Sequence, residues 1–213
     1  MKKSKFILAL SIALGLGLMQ VQAAPTASFG AKADVNLSNF ILTDMDKVQS
    51  PQLKDMESNI KVGASVGVFA NIEFSENFAL QPELLFHYKV SEIAQPGKNL
   101  DYEYMGLEIP IYAVGQMKFE KNGRAYLGIG PYIGVGINAE KDGFDLYEKI
   151  DNTDNCTMQR LDFGFGAMLG YEFDFGLQVN AGYKIGVIDA LDTNKDDATM
   201  LPSTISIGLG YRF

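Results

Sequence analysis

Glycine and charge share one face of the strand-like segments in this chain, and apolar residues hold the other. In residues 60–73, Val62, Val66 and Val68 alternate with Lys61, Gly63 and Gly67. In 102–119, Leu107, Ile109 and Ile111 alternate with Gly106, Glu108 and Pro110. A period of two marks strands that meet two different environments. A strand surface in water has no need of so many glycines, which weaken strands. The inside of a narrow barrel does, because it leaves side chains little room. Gly115 alone breaks the rule by falling on the apolar face within the strands.

Eight such segments are legible: 30–42, 60–73, 78–90, 102–119, 124–138, 160–173, 177–188 and 203–213. Their connections alternate in length. Residues 74–77, 120–123 and 174–176 are hairpin-sized and carry Asn, Asp or Gly. Residues 43–59, 91–101, 139–159 and 189–202 are long. The pattern predicts an all-β fold: an eight-stranded antiparallel up-and-down transmembrane β-barrel with short periplasmic turns and longer extracellular loops. A soluble barrel of the lipocalin type would turn its apolar face inward. Here that would leave the crowded glycines in water, whereas lipid requires the apolar belt outside and barrel closure satisfies every strand's backbone.

The lumen face then carries Lys32, Lys61, Lys89, Lys118, Arg160, Lys184 and Arg212 against Asp34, Glu73, Glu83, Glu108, Asp162 and Glu172, with His87 among them. Seven positive and six negative groups nearly cancel, so pairing offsets their desolvation. Removing Lys184 or Arg212 is therefore expected to strand a carboxylate. Aromatics such as Phe74, Phe78, Phe119, Tyr171 and Phe173 gather at the short-turn end of the apolar face, and Phe86, Tyr88 and Phe163 lie nearer the other end, as two interfacial girdles would. Pro82, Pro110 and Pro131 sit inside strands and predict bulges or local breaks in the ladder.

Residues 1–23 read as a secretory signal peptide: Lys2, Lys3 and Lys5, an apolar run from Phe6 to Met19, then a cleavage site at Val21-Gln22-Ala23. The run is shorter than the roughly 20 residues a membrane helix needs. Residues 24–213 form one barrel domain. Loss of the three lysines takes the formal charge from −8 to −11, which argues against nucleic acid as a partner. Cys156 and His87 are each single, so neither a disulfide nor a zinc-type cluster is predicted, and no cofactor or metal is expected in a resident site.

The strand phrases "LQPELLFHYKV", "YMGLEIPIYAVGQMKF", "YLGIGPYIGVGI", "DFGFGAMLGYEF" and "STISIGLGYRF" resemble the outer-membrane β-barrel family of Bacteroidetes, often labelled porin-like or PorT-like. The resemblance covers about 27–213. It implies a barrel in the outer membrane of a Gram-negative bacterium, and it implies little about activity, since a fold hosts many functions. The final stretch also resembles the signal read by the barrel assembly machinery, with polar Ser206, then Gly208, then aromatics at Tyr211 and Phe213.

Catalysis is not predicted. No serine–histidine–carboxylate set can be placed by spacing, and Glu83 with Glu108, a conceivable acid/base pair, shares its face with many lysines. The long loops hold the net charge: 139–159 carries six acids and two lysines, and 189–202 four acids and one lysine. Asp192, Asn194 and Asp196 alternate like oxygen ligands of a calcium loop but lack its central glycine and bidentate glutamate. Acidic loops beside anionic lipid invite bridging by divalent cations. The expected function is a non-enzymatic outer-membrane barrel with a plugged lumen, acting structurally or through surface contacts of its acidic loops. A small porin-like channel is the alternative, and a lipid-modifying enzyme the remote one.

Overall fold

The computed structural model describes residues 24–43, 57–95, 98–119, 122–141, 144–147, 159–188 and 199–213. Among them run nine strands: β1 (Thr26–Thr43), β2 (Glu57–Ser75), β3 (Phe78–Gln95), β4 (Lys98–Phe119), β5 (Gly123–Lys141), β6 (Phe144–Asp145), β7 (Leu161–Glu172), β8 (Leu177–Gly186) and β9 (Thr199–Arg212). All but β6 join into one closed antiparallel barrel. Each pairs with its neighbour along the chain, β5 passes over the two-residue β6 to pair with β7, and β9 returns to β1. The seam between first and last strands runs from Gly30 opposite Arg212 to Thr43 opposite Thr199. Closure removes every free edge, as a lipid environment demands.

The tight turns lie at one end. Gly123 and Gly176 take φ of 105° and 90°, a left-handed conformation open to glycine at little cost. The strands outlast the alternation at the opposite end. The stretch 91–101, expected as a long loop, is mostly strand, with β3 reaching Gln95 and β4 starting at Lys98. Residues 139–141 likewise belong to β5, and β6 folds back on them. Once a strand leaves the membrane both its faces are wet, and the period-two signal fades. The wall is uneven: β4 has 22 residues, β7 has 12 and β8 has 10.

Apolar side chains do cover the outside. Val62, Val66, Leu127, Ile129, Leu169, Ile207 and Leu209 are among the exposed residues. At the short-turn end aromatic rings touch in series, Phe119 to Tyr171, Tyr171 to Phe173 and Phe173 to Phe175. The prolines do not produce bulges. Pairing between β3 and β4 skips from Pro82–Ile111 to Leu85–Glu108, and between β4 and β5 from Pro110–Tyr132 to Ala113–Ile129, with register unchanged. They interrupt the ladder locally because they lack the donor. Register shifts occur elsewhere, at Ile60/Ala64, Glu73/Ser75 and Met105/Gly106.

Candidate functional site

The glycine-bearing face of the wall looks inward, and aromatic rings stand over several of its glycines. Tyr126 stands directly opposite Gly170, Tyr132 opposite Gly164 and Phe69 opposite Gly30. A Cβ on any of these glycines would overlap the facing ring. The glycines are thus alcoves for rings of the neighbouring strand, the cross-strand pairing that rescues glycine in sheets. Tyr112, Met168, Val114 and Ala79 complete an apolar cluster with Tyr126. Sequence reasoning did not name these rings, although Tyr112, Tyr126 and Tyr132 share the parity of the glycines.

Three polar groups stack along the axis around those rings. Nearest the short turns, Arg124 donates to Glu172 at 2.9 Å and to Glu73 at 3.1 Å, and Arg212 donates to Glu73 at 3.1 Å and also pairs with Glu172. Gln116 and Asn71 accept from Arg124, and Gln178 donates to Glu172. In the middle, Lys32 lies between Asp34 at 3.5 Å and Glu83 at 3.4 Å, and Gln81 donates to Glu83 at 2.8 Å. Beyond it, Glu108 is buried with Lys89 at 3.0 Å on one oxygen and Lys184 on the other, His87 Nδ1 being 3.8 Å away. These ions are enclosed, so their pairing offsets a desolvation cost of several kcal/mol per ion, as an order of magnitude.

Three residues expected in the lumen stand at its mouths instead. Lys118 reaches Glu73 at 2.7 Å with its side chain half exposed, and Lys61 reaches Glu92 at 2.7 Å with 37% exposure. Arg160 lies exposed in the bend before β7. Their long stems carry the charge out to water where the wall ends. Glu83 and Glu108, imagined as an acid/base pair, instead occupy separate ionic groups. Ser65 is the register partner of His87, yet its hydroxyl donates to Asp34 at 3.3 Å and Asn36 at 3.4 Å. Cys156, the oxygen-rich run 192–196 and the segment 1–23 lie outside the described residues.

The long-loop mouth carries the most particular arrangement. β6 pairs with Glu140 and Lys141, Leu146 N–H donates to Ala139, and Tyr147 N–H donates to Asp145 Oδ1 at 2.8 Å. This sets Tyr147 and Leu146 into the mouth against Ala139 and Tyr104. Gly136 leaves room for the Tyr147 hydroxyl, and the Arg160 guanidinium lies over the ring at 4.4 Å. Beneath is a cavity of ≈ 30 Å³ bordered by His87, Tyr104, Tyr147, Arg160 and Asp162. Tyr132 donates to Asp162 Oδ2 at 3.0 Å, while Asp162 Oδ1 and His87 Nδ1 are buried without a hydrogen-bond partner.

Comparison with known proteins places this geometry. A family model described as "outer membrane protein beta-barrel domain" matches residues 20–192. Among solved structures, the outer membrane protein OprG from Pseudomonas aeruginosa is 12% identical, with 91% of this chain and 99% of that one covered and a TM-score of 0.56. Neisserial surface protein A is 14% identical, with 88% and 99% covered and a TM-score of 0.47. Ail of Yersinia pestis, in complex with the heparin analogue sucrose octasulfate, is 14% identical over the same shares with a TM-score of 0.45. At these identities the likeness concerns the fold. A search of the curated proteins finds no match.

Proposed function

The chain belongs to the outer membrane protein β-barrel domain family, and on that premise we propose that it is a non-enzymatic barrel with a lumen closed to solute flow, acting structurally or through surface contacts at its long-loop end. The observation that carries this reading is the burial of Tyr112, Tyr126 and Tyr132 on the inward face together with the Lys89–Glu108–Lys184 group, in which Lys184 of β8 reaches Glu108 of β4. An eight-stranded barrel is just wide enough for side chains to fill. The hydrogen bonds of Ser65 to Asp34 and Asn36 rather than to His87 support the absence of acyl-transfer chemistry.

The proposal extends to matters the sequence suggests on its own. Export uses residues 1–23, the strand phrases assign the chain to the Bacteroidetes porin-like group, and the C-terminal strand is read by the assembly machinery. The acidic loops bind divalent cations beside anionic lipid, so chelation should raise protease cleavage between β1 and β2, between β6 and β7 and between β8 and β9; unchanged cleavage would remove that part. The central test is recording from purified protein in planar bilayers under concentrated KCl. Electrical silence is the expected result, and reproducible unitary steps would establish the channel reading in its place.

A further inference from the structure

We infer that residues 144–147 form a hinged lid on the long-loop mouth of the lumen, latched by Arg160. The inference rests on the closed-lumen reading and names the element that closes that end. A bulge at Met105/Gly106 shifts the β4–β5 register and sets Ala139 opposite Tyr104. Leu146 and Tyr147, each 5% exposed, pack on that pair. The Tyr147 hydroxyl reaches down to Gly136, where a Cβ would overlap it. Gly136, Gly106 and His87 form one row across β5, β4 and β3, so the tip of the lid reaches the row of His87. The next inward-facing row holds Glu108 opposite Gly134.

The attachment is that of a lid rather than of a wall. Among the described residues β6 pairs on one side only, through Phe144 and Asp145, whereas the barrel strands share a closed ladder. Elements with few contacts open locally without global unfolding. Releasing this one breaks a two-residue pairing, the bond from Leu146 N–H to Ala139 and the ring contacts, and leaves the barrel intact. The bond from Tyr147 N–H to Asp145 Oδ1 lies within the turn, so it can move as a unit. Arg160, set just before β7, lies over the Tyr147 ring at 4.4 Å and ties the turn to a second strand. Beneath the lid, Tyr104 meets His87 edge-on at 5.7 Å and lies under the Lys89 ammonium at 5.6 Å. Excluding water there strengthens the ion pairs of Glu108.

His87 is the only histidine of the chain, so its modification by diethyl pyrocarbonate, followed by mass spectrometry on the untagged barrel in micelles, reads access through the mouth. In the folded barrel it should react at least about tenfold more slowly than in the urea-unfolded chain, an order of magnitude set by local opening. Tyr147→Ala should raise the rate about tenfold while the unheated gel still shows a folded barrel, and Arg160→Gln about threefold, the worth of an exposed cation–π contact. Glu76→Gln, in a short turn at the far end, should change nothing. Hydrogen exchange by NMR separates a lid from fixed wall: the Leu146 amide should exchange well ahead of the β5 ladder amides around Gly134. Equal protection of the two would overturn the hinge. A wild-type His87 as reactive as in the unfolded chain, or a rate unmoved by Tyr147→Ala, would overturn the lid in an electrically silent barrel. Unitary steps in planar bilayers would instead overturn the closed-lumen reading, and the inference with it.

Discussion

Glu108→Gln nearly preserves the volume of the most enclosed ionic group and deletes its only negative charge. Glu108 holds Lys89 at 3.0 Å through one oxygen and Lys184 through the other. Among the described residues neither ammonium has a second carboxylate within ion-pair distance. The change strands two buried cations, and stranding one partner of a buried pair costs about 3–5 kcal/mol. A lysine can escape by losing its proton, which at pH 7 costs a solution ammonium about 4.6 kcal/mol, a ceiling for each site. Lys184→Met acts differently, because Glu108 keeps Lys89 and the two lysines no longer repel; about 1 kcal/mol is expected. The ion-pair map thus moves the main cost from the lysine, where the sequence pattern puts it, to the carboxylate. Urea unfolding of barrels folded into lipid vesicles measures both, followed by far-UV circular dichroism and by the fraction migrating as folded on unheated gels. The triple change Glu108→Met, Lys89→Met, Lys184→Met should recover most of the loss, since apolar replacement of a whole buried ion group is often neutral. A smaller loss for Glu108→Gln than for Lys184→Met, or no recovery in the triple variant, would refute the reasoning.

Three further outcomes follow from the same packing. Arg124→Met should cost about 3 kcal/mol, since it is enclosed and holds both Glu73 and Glu172, while the quarter-exposed Arg212→Met should cost about 1 kcal/mol; urea midpoints compare them. Gly170→Ala drives a methyl into the Tyr126 ring and should cost about 1–3 kcal/mol, whereas Gly115→Ala, with its nearest neighbour at 3.9 Å on the lipid side, should cost nothing in the same assay. Phe213→Ala should lower the folded fraction recovered from outer membranes while total exported protein stays constant, measured by gels of heated and unheated samples.

The sequence by itself determined the class of fold, the number of barrel strands and the side that faces lipid. All three rest on local periodicity, and the row Ile205, Ile207, Leu209 and Tyr211 against Ser206, Gly208, Gly210 and Arg212 already contains them. The parity of a charged residue was legible too, and with it the inward face shared by Lys89, Glu108 and Lys184. Their pairing was not, because β3, β4 and β8 do not all adjoin: Lys184 meets Glu108 only across the lumen, 76 residues away in the chain. The facing of Tyr126 on Gly170 likewise depends on the register between β5 and β7, which one residue of slip would destroy. Tyr147 carries no period-two signal, and only the return of β6 onto β5 brings it over His87 and Asp162. Alternation records which medium a residue meets; closure of the barrel, a long-range constraint, decides which residues meet each other.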